Sequence, residues 1–166
     1  MKNIKISRTP RPTRKVVPLP TNTPQRILVV DDDADIRQLN TEVLRESGYH
    51  VDNAPDGEVA WHALQSKAYD LLITDNNMPQ MTGIELVNKL RSEEMKLPII
   101  LMSGTMPSEE LKRHPWLQIQ GTLLKPYTLA ELFVTVKEVL CCHDSVLGLF
   151  TPSNWQKRAN GESLRI

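Results

Sequence analysis

The sequence predicts an α/β fold, in which a parallel sheet of five strands is covered by helices on both faces in a doubly wound arrangement. Short apolar runs that suit strands alternate with amphipathic segments that suit helices, five of each within about 115 residues. The first run, residues 27–30, is apolar at every position, as expected for a strand buried on both sides. Right-handed crossovers between such strands place helices on both faces of the sheet.

The first half of the domain is predicted to contain three strands and two helices. Strands are expected where apolar residues cluster, over residues 27–30, 49–51 and 71–74. The first helix follows from apolar residues at helical spacing, which are Ile36, Leu39, Val43 and Leu44, and it ends at Gly48. The second helix follows from a similar set, Val59, Ala60, Ala63 and Leu64.

Two helices of the second half are predicted to begin at capping boxes. Thr82-Gly-Ile-Glu85 and Thr128-Leu-Ala-Glu131 each place a Glu three residues after a Thr, a spacing that satisfies free amides at the start of a helix. Apolar residues at helical spacing follow each box. The remaining elements are strands over residues 99–102 and 119–124 and a short helix over residues 108–113.

Charge is distributed unevenly along the 166 residues. Residues 1–24 contain six basic residues, no acid and five of the twelve prolines, so we expect a disordered basic tail. Since all 20 acids but only 14 of the 20 Lys and Arg remain, residues 25–166 carry a net charge of −6. The predicted domain spans residues 25–143, and residues 144–166 form a C-terminal tail that is too short for a further domain.

The sequence favours a cytoplasmic protein. No apolar run approaches the roughly 20 residues of a membrane helix, so no membrane span is expected. The adjacent Cys141 and Cys142 cannot form a loop-closing disulfide framework. The first 24 residues are Arg-rich like a transit peptide, but their prolines disfavour the amphipathic helix of such peptides. Nucleic-acid binding is not expected, although the basic residues between 2 and 15 leave that possibility, or binding to anionic lipid, open.

Polar side chains follow four of the predicted strands at the point where each strand ends. These residues are Asp31-Asp32-Asp33, Asp75, Ser103 and Lys125. Because the carboxyl ends of parallel strands meet at one edge of the sheet, we expect these side chains to lie close together. The acids after the first strand have an alternative role as helix caps, and that is how we interpret Asp33 and Asp35.

This group of side chains suits phosphoryl chemistry. Clustered carboxylates repel each other, and a hard divalent cation with oxygen ligands, Mg²⁺, removes that penalty. A cation held by Asp32 and Asp75 leaves positions open for phosphate oxygens. Asp75 could then attack phosphorus as a nucleophile, while Lys125 and the Ser103 hydroxyl stabilise the charge on the other oxygens.

The strand ends resemble those of response regulator receiver domains in two-component signalling. The similar segments are Ile27-Leu-Val-Val-Asp-Asp32, Asp70-Leu-Leu-Ile-Thr-Asp75-Asn-Asn-Met-Pro79, Met81-Thr-Gly83, Pro98-Ile-Ile-Leu-Met-Ser103-Gly104 and Lys125-Pro126. The resemblance covers roughly residues 26–142. It implies a flavodoxin-like (βα)5 fold with strand order 2-1-3-4-5.

The resemblance also implies a role for each site residue. Asp75 is the expected phosphoacceptor, which receives phosphoryl from a histidine kinase or a phosphotransfer protein. Asp31, Asp32, Asp75 and the backbone carbonyl of Asn77 are the expected Mg²⁺ ligands. Ser103 is the expected switch hydroxyl, Lys125 is its expected partner, and Lys125–Pro126 is a candidate cis bond. Such a domain catalyses only its own phosphorylation and dephosphorylation and signals through a partner protein.

The sequence departs from the family pattern in three places. Thr122 stands where the family commonly has an aromatic residue, three positions before the lysine, which puts a conventional coupled switch in doubt. No output domain is recognisable, which suggests the single-domain type. The basic tail is an addition.

Two other functions remain open from the sequence. One is a phosphorylation-independent interaction module, which Thr122 mildly favours. The other is a phosphatase of the haloacid dehalogenase type with its nucleophile among Asp31-Asp32-Asp33, although its later paired acids are missing.

Overall fold

The computed structural model describes residues 24–105 and 108–145. Five strands alternate with five α-helices along this part of the chain. The strands are β1 (Arg26–Val30), β2 (His50–Ala54), β3 (Leu71–Asp75), β4 (Ile99–Ser103) and β5 (Gly121–Leu124). The helices are α1 (Ala34–Glu46), α2 (Gly57–Ser66), α3 (Gly83–Ser92), α4 (Ser108–Arg113) and α5 (Leu129–Ser145). None of them is long and apolar enough to cross a membrane.

All five strands are parallel, and their order in the sheet is β2-β1-β3-β4-β5. This confirms the predicted fold class and the strand order that the resemblance implies. The chain passes from β1 to its neighbour β2 on one side and then crosses back to β3 on the other side of β1. A crevice therefore opens beside the carboxyl end of β1, where ligands bind in folds of this kind.

Each face of the sheet carries its own apolar core. Ile27 and Val29 of β1 pack on the side covered by α1 and α5, whereas Leu28 and Val30 pack on the side covered by α2 and α3. Successive side chains of a strand point to opposite faces, so a strand buried on both faces has to be apolar at every position. This is the physical reason for the unbroken apolar run in β1.

The helix starts follow the predicted caps. The Asp33 side chain accepts hydrogen bonds from the amides of Asp35 and Ile36 and so caps α1, as predicted. Thr82 and Glu85 form the predicted capping box of α3. Thr128 and Glu131 exchange the same pair of hydrogen bonds before α5.

Several boundaries and side-chain positions differ from the prediction. β2 continues past residue 51 to Ala54, because its polar residues lie on an edge strand that is partly open to solvent. β5 begins at Gly121 rather than at residue 119. On α2, Ala60 and Leu64 are buried as predicted, whereas Val59 is exposed and Trp61 is buried. An unpredicted 3-10 helix, Pro115–Leu117, precedes β5.

The two predicted tails fall almost entirely outside the described residues. Only Pro24 of the first tail and the last two residues of α5, from the second, lie within them.

Candidate functional site

The carboxyl ends of four strands bring the predicted site residues to one edge of the sheet. Asp31 follows β1, Asp75 ends β3, Ser103 ends β4, and Lys125 follows β5. The strands are held in register there, since the amide of Asn76 donates to the Met102 carbonyl and the amide of Lys125 donates to the Ser103 carbonyl, both at 2.8 Å. Side chains that are 94 positions apart in sequence thereby become neighbours.

Three carboxylates converge at this edge. Asp31, Asp32 and Asp75 each offer an oxygen atom within 4.8 Å of the other two. Asp31 and Asp75 are buried, whereas Asp32 is exposed and faces solvent. We name these three side chains together with Lys125 the carboxylate pocket.

The carboxylate pocket fits a hard divalent cation. Its donors are all oxygen atoms, which Mg²⁺ prefers, and the exposed Asp32 leaves a route from solvent. Oδ1 of Asp75 is buried, and apart from the Lys125 amine it has no polar partner among the described residues. Buried polar atoms are normally satisfied, and this oxygen can accept a further ligand beside its ion pair with Lys125.

Lys125 bridges the two buried acids. Its Nζ lies 2.9 Å from Oδ2 of Asp31 and 3.1 Å from Oδ1 of Asp75. Burial alone lowers the pKa of Lys125, but the hydrogen bonds and charges of both carboxylates outweigh burial and raise that pKa overall. The Lys125–Pro126 peptide bond is cis, as the resemblance suggested.

Asp31 is destabilised in its ionised form. Burial is the main cause that raises the pKa of its carboxyl, and the nearby charge of Asp75 adds to this effect. Lys125 and the backbone amide of Asp33, 3.0 Å from Oδ1, act in the opposite direction. The balance leaves a carboxylate that gains from any further positive charge in the pocket.

Ser103 and Asn77 occupy the surroundings of the carboxylate pocket. Ser103 is buried, and its hydroxyl accepts a hydrogen bond from the amide of Thr105 at 3.3 Å. Asn77 lies in the loop after β3, two residues beyond Asp75, and is exposed. The structure thus puts Ser103 at the predicted edge and Asn77 in the adjoining loop, while their roles stay predictions.

The structure also reveals supporting residues that the sequence interpretation missed. Arg37 of α1 donates to the carbonyl oxygen of Asp31 at 2.7 Å and so fixes the backbone of the acidic segment. Gly83 lies so close to β3 that a Cβ atom there would be 2.3 Å from the carbonyl oxygen of Asp75. A glycine directly after the capping Thr82 was the available signal for this close approach.

The fold and the carboxylate pocket together define a class of protein. A doubly wound sheet with two acids after its first strand, an acid at the end of its third and a lysine after its fifth has the architecture of a receiver domain. The chain belongs to the response regulator receiver domain family, since its residues 27–137 match the sequence model of that family.

Individual relatives agree with this assignment. The chain is 39% identical over 115 residues to the sensor protein EvgS of Escherichia coli, a match that covers 68% of this chain and 10% of EvgS. It is 33% identical over 114 residues to the chemotaxis protein CheY-3 of Vibrio cholerae, covering 67% of this chain and 88% of CheY-3. The chain therefore spans only about a tenth of EvgS but most of CheY-3.

Solved structures share the fold. The chemotaxis response regulator CheY4 of Vibrio cholerae is similar with a TM-score of 0.66 and 34% identity, over 71% of this chain and all of that one. The response regulator TrrA of Thermotoga maritima, solved in complex with Mg²⁺-BeF, is similar with a TM-score of 0.63 and 34% identity, over 70% of this chain and 99% of that one.

Proposed function

We propose that this receiver domain accepts a phosphoryl group on Asp75, from a histidine kinase or a histidine phosphotransfer protein, and signals through a partner protein. The observation that carries the proposal is the Asp75 carboxylate itself. It is 3% exposed and lies at the end of the central strand β3. Its Oδ1 has no polar partner among the described residues other than the Lys125 amine.

The reaction is a transfer between two side chains. One carboxylate oxygen of Asp75 attacks phosphorus, an O–P bond forms, and the N–P bond of the donor's phosphohistidine breaks. The electron pair of that bond stays on the donor imidazole, which takes up a proton. Asp75 becomes an acyl phosphate, so the chain changes itself and turns over no outside substrate.

The charged side chains of the carboxylate pocket supply the stabilisation that a carboxylate nucleophile needs. The Lys125 amine already lies 3.1 Å from Asp75 and neutralises charge that develops on the phosphoryl oxygens. The Ser103 hydroxyl, at the end of the neighbouring strand, is the expected second donor to those oxygens. Positioning by β3 and β4 makes up for the weak nucleophilicity of a carboxylate.

Mg²⁺ is the proposed cofactor of this domain. Asp31, Asp32, Asp75 and the backbone carbonyl of Asn77 are its proposed ligands, because the three carboxylates converge and offer only oxygen. When bound, Mg²⁺ would neutralise charge on the carboxylates and on the incoming phosphoryl group. TrrA, solved with Mg²⁺-BeF, is a relative with the same fold that supports this proposal.

The partners and the location are proposed from the same chemistry. The reaction requires a phosphohistidine donor, and signalling requires a partner protein that binds the phosphorylated and unphosphorylated domain with different affinity. We propose that the domain meets both proteins in the cytoplasm. Phosphorylation would bias two packings of the loops and of the face formed by α4, β5 and α5.

The proposal is tested by incubating the protein with acetyl phosphate and Mg²⁺ and measuring the intact mass. We expect the wild type to gain a phosphoryl group and Asp75→Ala to gain none. Asp70→Asn is the matched control, because Asp70 precedes β3 at the opposite edge of the sheet and should not affect uptake. Equal uptake by wild type and Asp75→Ala would overturn the proposal. Hydrolysis of a phosphate ester that survives Asp75→Ala but not Asp31→Ala would support a phosphatase instead.

A further inference from the structure

A polar cluster of two buried side chains and one partly buried tyrosine lies next to the carboxylate pocket. The side-chain amide of Asn40 donates to the Tyr127 hydroxyl at 2.8 Å, and that hydroxyl lies 3.1 Å from the sulfur of Met102, a weak acceptor. The Asn40 amide is itself 3.8 Å from the same sulfur. We name these three side chains the Asn40–Tyr127–Met102 triangle.

The triangle joins three elements that carry pocket residues. Asn40 belongs to α1, which begins directly after the acidic segment, and Met102 precedes Ser103 on β4. Tyr127 follows Lys125 by two residues. A single hydroxyl group therefore connects the segments that present Asp31, Ser103 and Lys125.

Burial of the polar groups of the triangle costs desolvation free energy that apolar side chains would not require. This cost indicates that the triangle serves to position its side chains. Asn40 is 1% exposed and Met102 is fully buried, and the Tyr127 ring packs against the core between the sheet and α5. Leu and Phe side chains could fill this space without any requirement for hydrogen bonding. The hydrogen bonds add direction, because they fix where the Tyr127 hydroxyl lies relative to α1.

The charges of the pocket reach the Tyr127 hydroxyl. Burial is the main cause that raises its pKa, while the Asn40 hydrogen bond and the charge of Lys125 lower it. The charges of Asp31 and Asp75 raise it further. The triangle and the carboxylate pocket are thus electrostatically coupled as well as adjacent.

We propose that Tyr127 is a positioning residue for phosphorylation: its hydroxyl, anchored by Asn40, holds the segment 125–127 so that the Lys125 amine faces Asp31 and Asp75. The proposal rests on the proposed function, because it concerns the rate at which Asp75 accepts phosphoryl. Loss of the hydroxyl lets this segment shift and moves the amine away from the reacting oxygens.

The test measures the rate of phosphorylation by acetyl phosphate with Mg²⁺ in two backgrounds. We expect Tyr127→Phe to slow the reaction by about tenfold, since small misplacements of a charged group are costly in such reactions. In a Lys125→Met background, which reacts slowly and needs longer incubation, adding Tyr127→Phe should have no further effect. An unchanged rate for Tyr127→Phe, or an equal loss in both backgrounds, would overturn the proposal.

Two controls separate positioning from stability. Tyr49→Phe removes a hydroxyl from a ring that packs against the same core, and should leave the rate unchanged. Asn40→Leu/Tyr127→Phe replaces both partners by apolar groups, so its stability should recover toward wild type while its rate stays low. Recovery of the rate together with stability would show that the triangle only maintains the fold.

A further measurement keeps this inference separate from the proposed function. If the wild type takes up no phosphoryl group, the proposed function fails. The positioning role of Tyr127 is then tested by hydrogen exchange at the backbone amide of Lys125, which donates to the Ser103 carbonyl. We expect faster exchange there in Tyr127→Phe than in wild type or Tyr49→Phe. Equal exchange in all three proteins would overturn the positioning role.

Discussion

Lys125 is the residue on which the electrostatics of the carboxylate pocket depend. It pairs with two buried carboxylates that would otherwise lie next to each other without a counter-charge. A buried ion pair adds little net stability compared with an apolar pair, but removal of one partner leaves the other charge uncompensated. The lysine is therefore needed by the resting fold as well as by the proposed reaction.

Replacement of Lys125 should give a stability loss that depends on pH. We expect Lys125→Met to lower the free energy of unfolding by about 2–3 kcal/mol at pH 7 without Mg²⁺, less than for a fully buried pair because the amine is partly exposed. Without the lysine, the already raised pKa of Asp31 rises further. A carboxyl with a raised native pKa favours folding below its unfolded pKa, 3.8, and that contribution is lost as pH rises through the native value.

The difference from wild type should therefore shrink as the pH falls from 7 toward 4, measured by urea unfolding. Lys67→Met is the matched control, because Lys67 pairs with the partly exposed Asp52 at 3.1 Å. Lys67→Met should lower the free energy of unfolding by at most about 1 kcal/mol. A stability loss for Lys125→Met that stays constant over this pH range would show that the uncompensated charge of Asp31 does not cause it.

At the residue scale, sequence reasoning could locate the site but not its supports. Asp31, Asp75 and Lys125 could be predicted to meet, because the ends of parallel strands share one edge. Arg37 and Tyr127 could not be found in this way, since their hydrogen bonds depend on side-chain directions between distant elements. The ligand and catalytic roles assigned to the site residues stay predictions.

At the element scale, side-chain ion pairs and a hydrogen bond add to the backbone pairing of the outer strand β2. Asp52 of β2 accepts a hydrogen bond from Tyr69 at 2.9 Å and pairs with Arg26 and Lys67, both at 3.1 Å. Burial raises the pKa of Asp52, but its bonds and charges from these three partners outweigh burial and lower that pKa overall. Edge strand β2 is thereby tied to β1 and to the segment between α2 and β3.

Asp52→Asn tests this network. A carboxyl with a lowered native pKa stabilises the fold above its unfolded value, 3.8, and that contribution is lost as the pH falls through the native value. We expect the variant to lose roughly 0.5–1 kcal/mol at pH 7, because the partners are partly exposed. In urea unfolding, this difference from wild type should begin to shrink as the pH falls below 3.8 and should disappear below the lowered native pKa of Asp52.

The same variant should change the titration of Tyr69. Burial is the largest cause that raises the pKa of Tyr69 to about 12, and the hydrogen bond and charge of Asp52 add to it. In Asp52→Asn the pKa should fall but stay above 10.0, as followed by NMR of the Tyr69 ring. An unchanged Tyr69 titration would show that Asp52 does not contribute.

Helix starts with a capping signal were predicted most accurately. The capping boxes at Thr82 and Thr128 set the starts of α3 and α5, because their hydrogen bonds are local in sequence. The end of β2 and the 3-10 helix at Pro115–Leu117 were missed. Edge pairing and the packing of a connection depend on the rest of the fold, which local sequence patterns do not report.

At the scale of the whole molecule, the fold brings three negatively charged carboxylates together at the proposed Mg²⁺ site. Strand order β2-β1-β3-β4-β5 puts the acids after β1 beside the acid that ends β3. Lys125 supplies one positive charge against these three negative charges, and the repulsion that remains opposes folding. Stability and ligand binding should therefore be linked through the same three carboxylates.

This linkage predicts that Mg²⁺ stabilises the whole domain. At a Mg²⁺ concentration about a hundred times its dissociation constant, the wild type should gain about 2.7 kcal/mol of unfolding free energy, and EDTA should reverse the gain. Asp32→Asn should be at least as stable as wild type in EDTA, because one repelling charge is gone, and should gain much less from Mg²⁺. Thermal unfolding at matched ionic strength measures both effects, with Asp70→Asn as the control that keeps the full gain. A general salt effect would raise the Tm of Asp32→Asn, Asp70→Asn and wild type equally. If Mg²⁺ raises the Tm of Asp32→Asn as much as that of wild type, the cation is therefore not held by the carboxylate pocket.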